Sequence, residues 1–414
     1  ACYVCFFQFI LYQTDHSFDL RIRQRLSFFF RFPFSQVRYM ASENLTDNSR
    51  VIPIVSESLK ALPIPLNGGI REKDGYWIDM LGRPLTDIRI SVTDHCNFRC
   101  RYCKPKEIWD KFDAYLPHEE LLNFEELYRI SRIAVEHGVR KIRLTGGEPL
   151  LRKHIEDLIA KLATLRTPDG KKVDIAMTTN GSILAKKAQG LKDAGLDRLT
   201  VSLDALDEKI FQEFNDVGFP AAKVLEGIHA AREAGFEHVK VNTVVKRGIN
   251  ENQIVPLLEH FAGTGVIVRF IEYMDAGTSN GWRMNDVVPT SEVIRIVSER
   301  FKVTPLTPNY QSETAQRWRY GEGDDEFGCI SSVTRPFCRN CSRARLSIEG
   351  AVYLCLFADR GFDIRTMLRG GASDEEIAEA LGRIWTNRSN HYSELRMNGM
   401  PLPVKKVEMS YIGG

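Results

Sequence analysis

No stretch of the chain holds the roughly 18 consecutive apolar residues that a membrane-spanning helix needs, which argues against a bilayer-embedded protein. No strong excess of one charge exists either. The 56 lysines and arginines against 54 acids leave a net +2, so no global field calls for nucleic acid, and a polyanionic ligand would need a local cluster. No G-x-G-x-x-G follows the first apolar run, which counts against dinucleotide binding. Nine cysteines in 414 residues are too sparse for a secreted disulfide scaffold. Six of them fall into two close groups, the pattern of metal binding in a reducing compartment. The length suits one large domain or two to three smaller ones.

The first 39 residues stand apart. They carry Arg21, Arg23, Arg25, Arg31 and Arg38, many phenylalanines, and only Asp15 and Asp19 as acids. One reading is a mitochondrial transit peptide, although serine content and amphipathicity are weak. The other, slightly preferred, is that the working chain begins at Met40. A cytoplasmic location is expected, with the mitochondrial matrix as the alternative. Cys2 and Cys5 form a lone pair in this leader and carry no site. Residues 41 to 85 are polar, then punctuated by Pro53, Pro63, Pro65 and Gly68-Gly69, as in a disordered lead-in followed by a loop.

What is present begins with Cys96-Asn-Phe-Arg-Cys-Arg-Tyr-Cys103, a loop just after the apolar run Ile88–Val92. Thiolates are soft ligands, suited to zinc, copper(I) or iron–sulfur clusters. Zinc usually takes a second cysteine pair or histidines further on. Three thiols with no fourth nearby can instead hold three irons of a four-iron cluster and leave one iron open to a small ligand. A zinc-bound or merely reduced loop is the plain alternative.

From 86 to 275 strands and helices alternate. The expected strands are 88–92, 141–144, 173–177, 198–201, 238–245 and 266–271. Helices lie between them, the first opened by a capping box at Asn123-Phe-Glu-Glu126. Such alternation implies a parallel sheet with right-handed crossovers. Six units suggest an incomplete α/β barrel of the (β/α)6 TIM type rather than a full eight, with a doubly wound open sheet as the alternative. The cysteine loop, Thr145-Gly-Gly-Glu-Pro149, Thr178-Thr-Asn-Gly181, Ser202-Leu-Asp-Ala205 and Tyr273-Met-Asp275 all follow strand carboxyl ends, the rim where such barrels do chemistry.

Residues 276 to 330 look like a linker into a second, smaller α+β unit. That unit carries Cys338, Cys341 and Cys355, with Arg343 and Arg345 beside them. Another three-thiolate cluster with an open iron suits the group, and zinc completed by a remote ligand such as His391 is the alternative. Cys329 is expected to be a buried free thiol. The expected boundaries are 1–81 for leader and linker, 82–275 for the barrel and 276–414 for the C-terminal unit.

Taken together, these motifs resemble the GTP 3′,8-cyclases, radical S-adenosylmethionine enzymes that open molybdenum-cofactor synthesis. The likeness runs from about Gly82 to Gly414. It implies two [4Fe-4S] clusters, one on Cys96, Cys100 and Cys103 and one on Cys338, Cys341 and Cys355. It implies that Tyr102, Gly147, Ser202 and Met274 line S-adenosylmethionine. Arg89, Arg143, Thr178, Lys240, Arg343 and Arg345 would bind GTP, with Lys141 and Arg269 as secondary candidates. Converging cations suit a triphosphate. The reaction implied is abstraction of the ribose C3′ hydrogen by a 5′-deoxyadenosyl radical, giving 3′,8-cyclo-7,8-dihydro-GTP. No acid–base dyad is required, so no catalytic side chain is named. The resemblance also implies an electron donor, unidentified, and hand-over of product to the cyclic pyranopterin monophosphate synthase. It allows a homodimer and calls for neither nucleic acid nor membrane.

Two positions depart from the family pattern: His95 replaces an arginine and Lys104 a methionine, for which tuning of the loop is expected. The Gly413-Gly414 end is expected to thread beside the arginines. Two rival readings are a peptide-modifying radical enzyme with an auxiliary cluster and a non-catalytic zinc scaffold.

Overall fold

The structure is a computed structural model that describes residues 61–110, 115–400 and 406–413. The expectations for residues 1–39, for Cys2 and Cys5, and for Gly414 lie outside the described residues. In chain order the strands are β1 (Glu72–Lys73), β2 (Tyr76–Trp77), β3 (Asp87–Ser91), β4 (Lys141–Thr145), β5 (Asp174–Thr179), β6 (Arg198–Ser202) and β7 (Lys240–Val245). They continue with β8 (Ile267–Glu272), β9 (Val303–Leu306), β10 (Gln316–Tyr320), β11 (Glu326–Ile330), β12 (Arg343–Leu346), β13 (Ala351–Tyr353) and β14 (Phe362–Asp363). Among the described residues no helix is long and apolar enough to cross a membrane.

One twelve-stranded sheet runs β14-β13-β12-β3-β4-β5-β6-β7-β8-β11-β10-β9. All six expected strands form its centre in sequence order, each parallel to the next. β12 joins one flank in parallel and β11 the other, so the parallel run holds two strands more than expected. Its ends do not pair with each other, which leaves the barrel incomplete. The stretch expected as a linker supplies β9, β10, β11 and the helix Thr290–Ser298. Likewise part of the stretch before residue 82 is ordered: the β1–β2 hairpin sends Trp77 into the core, where it is 2% exposed. A single core residue on a two-residue strand produces no periodicity to read.

Alternation along the strands decides what the sheet encloses. In β3 and β4, Ile88, Ile90, Ile142 and Leu144 point outward and pack in the core. Between them Arg89, Lys141, Arg143 and Thr145 point into a cavity. A parallel strand buried on both faces is apolar throughout; here every second residue is polar, because the inner face lines a site. Helices such as Phe124–Glu136 and Ile155–Ala163 cover the outer face. The first is opened by a capping box in which Asn123 and Glu126 exchange hydrogen bonds, and Ser373 and Glu376 do the same for Asp374–Thr386.

Candidate active site

The inner faces of β12 and β3 through β8 enclose a cavity of about 860 Å³. All six cysteines of the two groups line it, as do Tyr102, Gly147, Ser202, Met274 and all eight cationic or hydroxyl candidates for the polyanion. The two cysteine groups enter from opposite ends. Cys96 follows the carboxyl end of β3, whereas Cys341 precedes β12, whose first residue Arg343 is in register with Asp87 at the start of β3. A five-residue strand, roughly 16 Å, therefore separates the two mouths.

The first cysteine loop is a tight turn. The Cys103 and Lys104 N–H groups both donate to Cys100 O, at 2.9 and 2.8 Å, and Phe98 N–H donates to Cys96 Sγ at 3.4 Å. Its base is clasped by the glycines of the next motif. Gly147 N–H donates to Thr93 O and Glu148 N–H to His95 O, both at 2.8 Å. A Cβ at Gly146 would lie 2.5 Å from Thr93 O, and one at Gly147 would run into His95 O. Glycine is required here so that two backbones can touch. Glu148, fully buried, ties its own segment to the end of β5 by accepting from Thr179 Oγ1 (2.6 Å), Asn180 N–H (2.6 Å) and Leu150 N–H (3.1 Å). Burial lifts its carboxyl to about 7 against those three donors.

Tyr102 OH donates to Asp204 Oδ2 at 3.1 Å, which pins the middle of the loop to the β6 rim. Met274 O accepts from Asn280 Nδ2 at 3.1 Å. The two departures act together. Lys104, 5% exposed, donates to Asp94 O at 3.0 Å and lies 4.4 Å from the Trp109 ring centroid, while His95 stacks on Tyr115 at 3.7 Å. Both sew the start of the loop to its end.

Cations fill the lumen in register. Arg345, Arg89 and Arg143 are direct neighbours across β12, β3 and β4, and Thr178, Thr200 and Lys240 across β5, β6 and β7. Arg143 donates to Thr178 Oγ1 (3.1 Å) and Thr200 Oγ1 (3.2 Å), and Arg269 to Asn242 Oδ1 (2.9 Å) and Thr200 Oγ1 (3.3 Å). Arg343 donates to Thr314 Oγ1, and Arg345 to the carbonyls of Ile412 and Gly413. Arg89 is different: its Nε is buried with no partner among the described residues. Burial first, then Arg345, Arg343 and Arg143, depress its pKa. Burial also brings Lys141 and Lys240 down to about 8. Lys141 meets Asp174 at 3.8 Å, but the cations outnumber the acids of the lining, and such a concentration suits a polyanion. Thr200, Asn242, Thr314 and Tyr310 also belong to the lining and were not expected. The polar-in alternation of Arg198-Leu-Thr-Val-Ser202 was the available signal for Thr200.

In the second group Cys338 and Cys341 flank a short 3-10 turn and Cys355 follows β13. The donor set, three cavity-facing thiols in each of two groups, fits a cluster with an open iron. Burial raises the pKa of Cys96, Cys100, Cys103 (to about 12) and Cys355, so a cationic centre is needed to hold them as thiolates. Cys341 is already held down to about 6, because Arg343 and Arg388 outweigh its burial. His391 is not part of the lining, and its Nδ1 lies 2.8 Å from Ser389 O. Cys329 is buried and free, as expected.

Comparison with known proteins places the chain in a family. Residues 90–261 match the Radical SAM superfamily and residues 266–394 match Molybdenum Cofactor Synthesis C. The chain is similar to the GTP 3′,8-cyclase of Acidothermus cellulolyticus, 49% identical over 360 residues, covering 81% of this chain and 98% of that one. It is also similar to that of Staphylococcus epidermidis, 46% identical over 342 residues with the same coverage. Among solved structures, Streptococcus suis SuiB bound to precursor peptide SuiA is similar in fold, with a TM-score of 0.50 and 15% identity over 76% of this chain and 67% of that one.

Proposed function

The chain belongs to the family of GTP 3′,8-cyclases, and from that premise we propose how its own residues carry the reaction. It is a radical S-adenosylmethionine enzyme of molybdenum-cofactor synthesis, with GTP as substrate and a [4Fe-4S] cluster and S-adenosylmethionine as cofactors. When bound, these cofactors would supply the 5′-deoxyadenosyl radical chemistry for hydrogen abstraction at the ribose C3′.

On our reading Cys96, Cys100 and Cys103 hold that cluster. Tyr102, Gly147, Ser202 and Met274 line the S-adenosylmethionine beside it. Arg89, Arg143, Thr178, Lys240 and Arg343 take the triphosphate, with Lys141 and Arg269 alongside. Arg345 orders the C-terminal tail as well as facing the nucleotide. Cys338, Cys341 and Cys355 hold a second [4Fe-4S] cluster at the far mouth, against the guanine. The side chains bind, orient and keep water from the reacting carbon, and no proton relay is assigned to them. The observation that carries this reading is the row of cations between two cysteine groups in one cavity.

Anaerobically purified protein should contain iron and sulfide for two clusters and should cleave S-adenosylmethionine only when GTP is present. Zinc without sulfide, or cleavage indifferent to GTP, would overturn the reading. Cys100→Ala should lose the first cluster and all cleavage.

The buried lysines give a pH dependence. In the ligand-free cavity burial lowers Lys141 and Lys240 from 10.5 to about 8. Below pH 8 both are charged at a cost to the fold, a cost relieved as pH rises from 8 towards 10.5. A bound triphosphate favours the ammonium forms and lifts both values. GTP affinity should therefore fall as pH rises through about 8, with proton uptake on binding. Calorimetry at pH 7 and 9, in buffers of different ionisation enthalpy, checks this. Equal affinity at both pH values without proton uptake would refute it.

A further inference from the structure

Two buried arginines from opposite ends of the described chain close around the second cysteine group, and the function above uses neither. Arg388, 2% exposed, follows the helix Asp374–Thr386. Its Nη2 donates to Cys341 Sγ at 3.1 Å and its Nη1 to Cys341 O at 2.7 Å. Its Nε donates to Leu354 O at 3.0 Å, one residue before Cys355. The guanidinium lies 4.5 Å from the Trp385 ring centroid. Arg83, 3% exposed, donates to Cys338 O at 2.7 Å and Asn390 O at 2.9 Å. Every turn that carries one of the three thiols is thus held through a carbonyl by one of these two side chains.

Asp79, fully buried, ties the two together. Its Oδ2 accepts from Arg83 Nε at 2.6 Å and from Arg388 Nη1 at 3.2 Å, and its Oδ1 takes the N–H groups of Leu81 and Arg83. Met80 N–H donates to Arg388 O, and Trp385 Nε1 to Arg83 O, both at 3.1 Å. One carboxylate shared by two buried guanidiniums leaves one positive charge in surplus. A surplus buried charge is costly unless a partner answers it, and the Cys341 sulfur lies within hydrogen-bond reach of Arg388. From the cavity side Arg343 Nη2 also approaches that sulfur, at 3.7 Å.

We infer that Arg388 is the positioning residue of the second cysteine group, fixing Cys341 Sγ by an N–H···S bond and thereby setting the reduction potential of the cluster held there. The inference rests on the two-cluster reading above. Hydrogen bonds to ligating sulfur draw electron density from a cluster and favour its reduced form, and partners behind the ligands fix their orientation. Asp79 and Arg83 hold Arg388 in place.

The test uses full-length, anaerobically reconstituted protein with Arg388→Met and Arg388→Lys. The readouts are iron and sulfide per chain, electron paramagnetic resonance of each centre, and a redox titration. In Arg388→Met the second centre should be lost or its midpoint moved to lower potential, with the first centre unchanged. Arg388→Lys should keep the centre with a smaller shift in the same direction, because the charge remains and the fork does not. A second-centre signal and midpoint unaltered in a folded variant overturn the inference, even where thermal stability falls, since that is what mere packing would give. Should Arg388→Met fail to fold, seen as loss of the first centre too, Arg388→Lys decides alone by the same midpoint. Wild-type protein with iron for one cluster only sinks the two-cluster reading itself, before any substitution is made.

Discussion

Replacing Arg89 with methionine is expected to make the ligand-free protein more stable while nearly abolishing its hold on GTP. Arg89 projects from β3 into the lumen between Arg345 and Arg143, with its Nε unpartnered among the described residues. Burial and three like charges make its guanidinium an expense to the empty fold. Exchanging an uncompensated buried ion for an apolar side chain of similar length is neutral or stabilising, by about 1–4 kcal/mol in buried ionic sites. The apparent melting temperature of the ligand-free protein should therefore rise. For a triphosphate the same change removes a desolvated charge-assisted contact, which costs about 2–5 kcal/mol, or about 30-fold and upward in affinity. Thermal melts with and without GTP, together with a GTP titration, read both effects. A variant that melts lower and binds GTP as tightly as before would show Arg89 to be a structural arginine. Opposite signs for stability and binding are what a strained functional position produces.

The same tension explains how much could be read beforehand. The six central strands were legible because their outward residues, such as Ile88 and Ile90 or Ile142 and Leu144, repeat with period two between amphipathic helices, the first of which announces itself by a capping box. The flanking strands were not. β12 reads Arg-Ala-Arg-Leu, a charge motif rather than a strand, and its partner β3 is more than 250 residues earlier. β11 contains Gly328, and only its pairing with β8 on one side and β10 on the other makes Glu-Phe-Gly-Cys-Ile a strand. The cysteines and arginines of the site stand out by spacing and chemistry. Thr200 and Asn242 are ordinary polar residues until the register places them under Arg143 and Arg269. Asp79 and Arg388 meet across 309 residues of sequence, a contact no local pattern encodes. The first cysteine loop does follow the carboxyl end of β3, as expected. The cations instead occupy the lumen, and the second group enters at the opposite mouth, because the return from β11 to β12 crosses to where the strands begin.

A single methyl group at Gly413 should stop turnover while leaving both cysteine groups able to hold iron. The tail approaches the lumen along an anchored path. Lys406 Nζ donates to Asp275 Oδ2 at 2.9 Å, Glu408 accepts from Thr278 and Ser279, and Val407 and Ile412 are buried. Gly413 then adopts φ +70°, and a Cβ there would overlap Thr145 Oγ1 and lie 3.0 Å from Thr145 Cβ. Left-handed backbone costs an ordinary L-residue about 1–2 kcal/mol, and the overlap adds to it. Thr145 cannot easily turn aside, since its hydroxyl donates to Ile90 O at 3.2 Å at the end of β4. In Gly413→Ala the tail tip must lift, and Arg345 loses the carbonyls of Ile412 and Gly413 that orient it towards Arg89. Displacing an orienting group by about 1 Å can cost about 100-fold in rate. Product formation should fall by at least that factor, with iron content and melting temperature close to wild type. Thr145→Ala in the same chain removes the atom that the new methyl meets and should restore part of the loss, a coupling that a double-mutant cycle measures. Wild-type turnover by Gly413→Ala would mean that the tail does not shape the site. A loss that Thr145→Ala leaves untouched would place the fault in the backbone conformation alone.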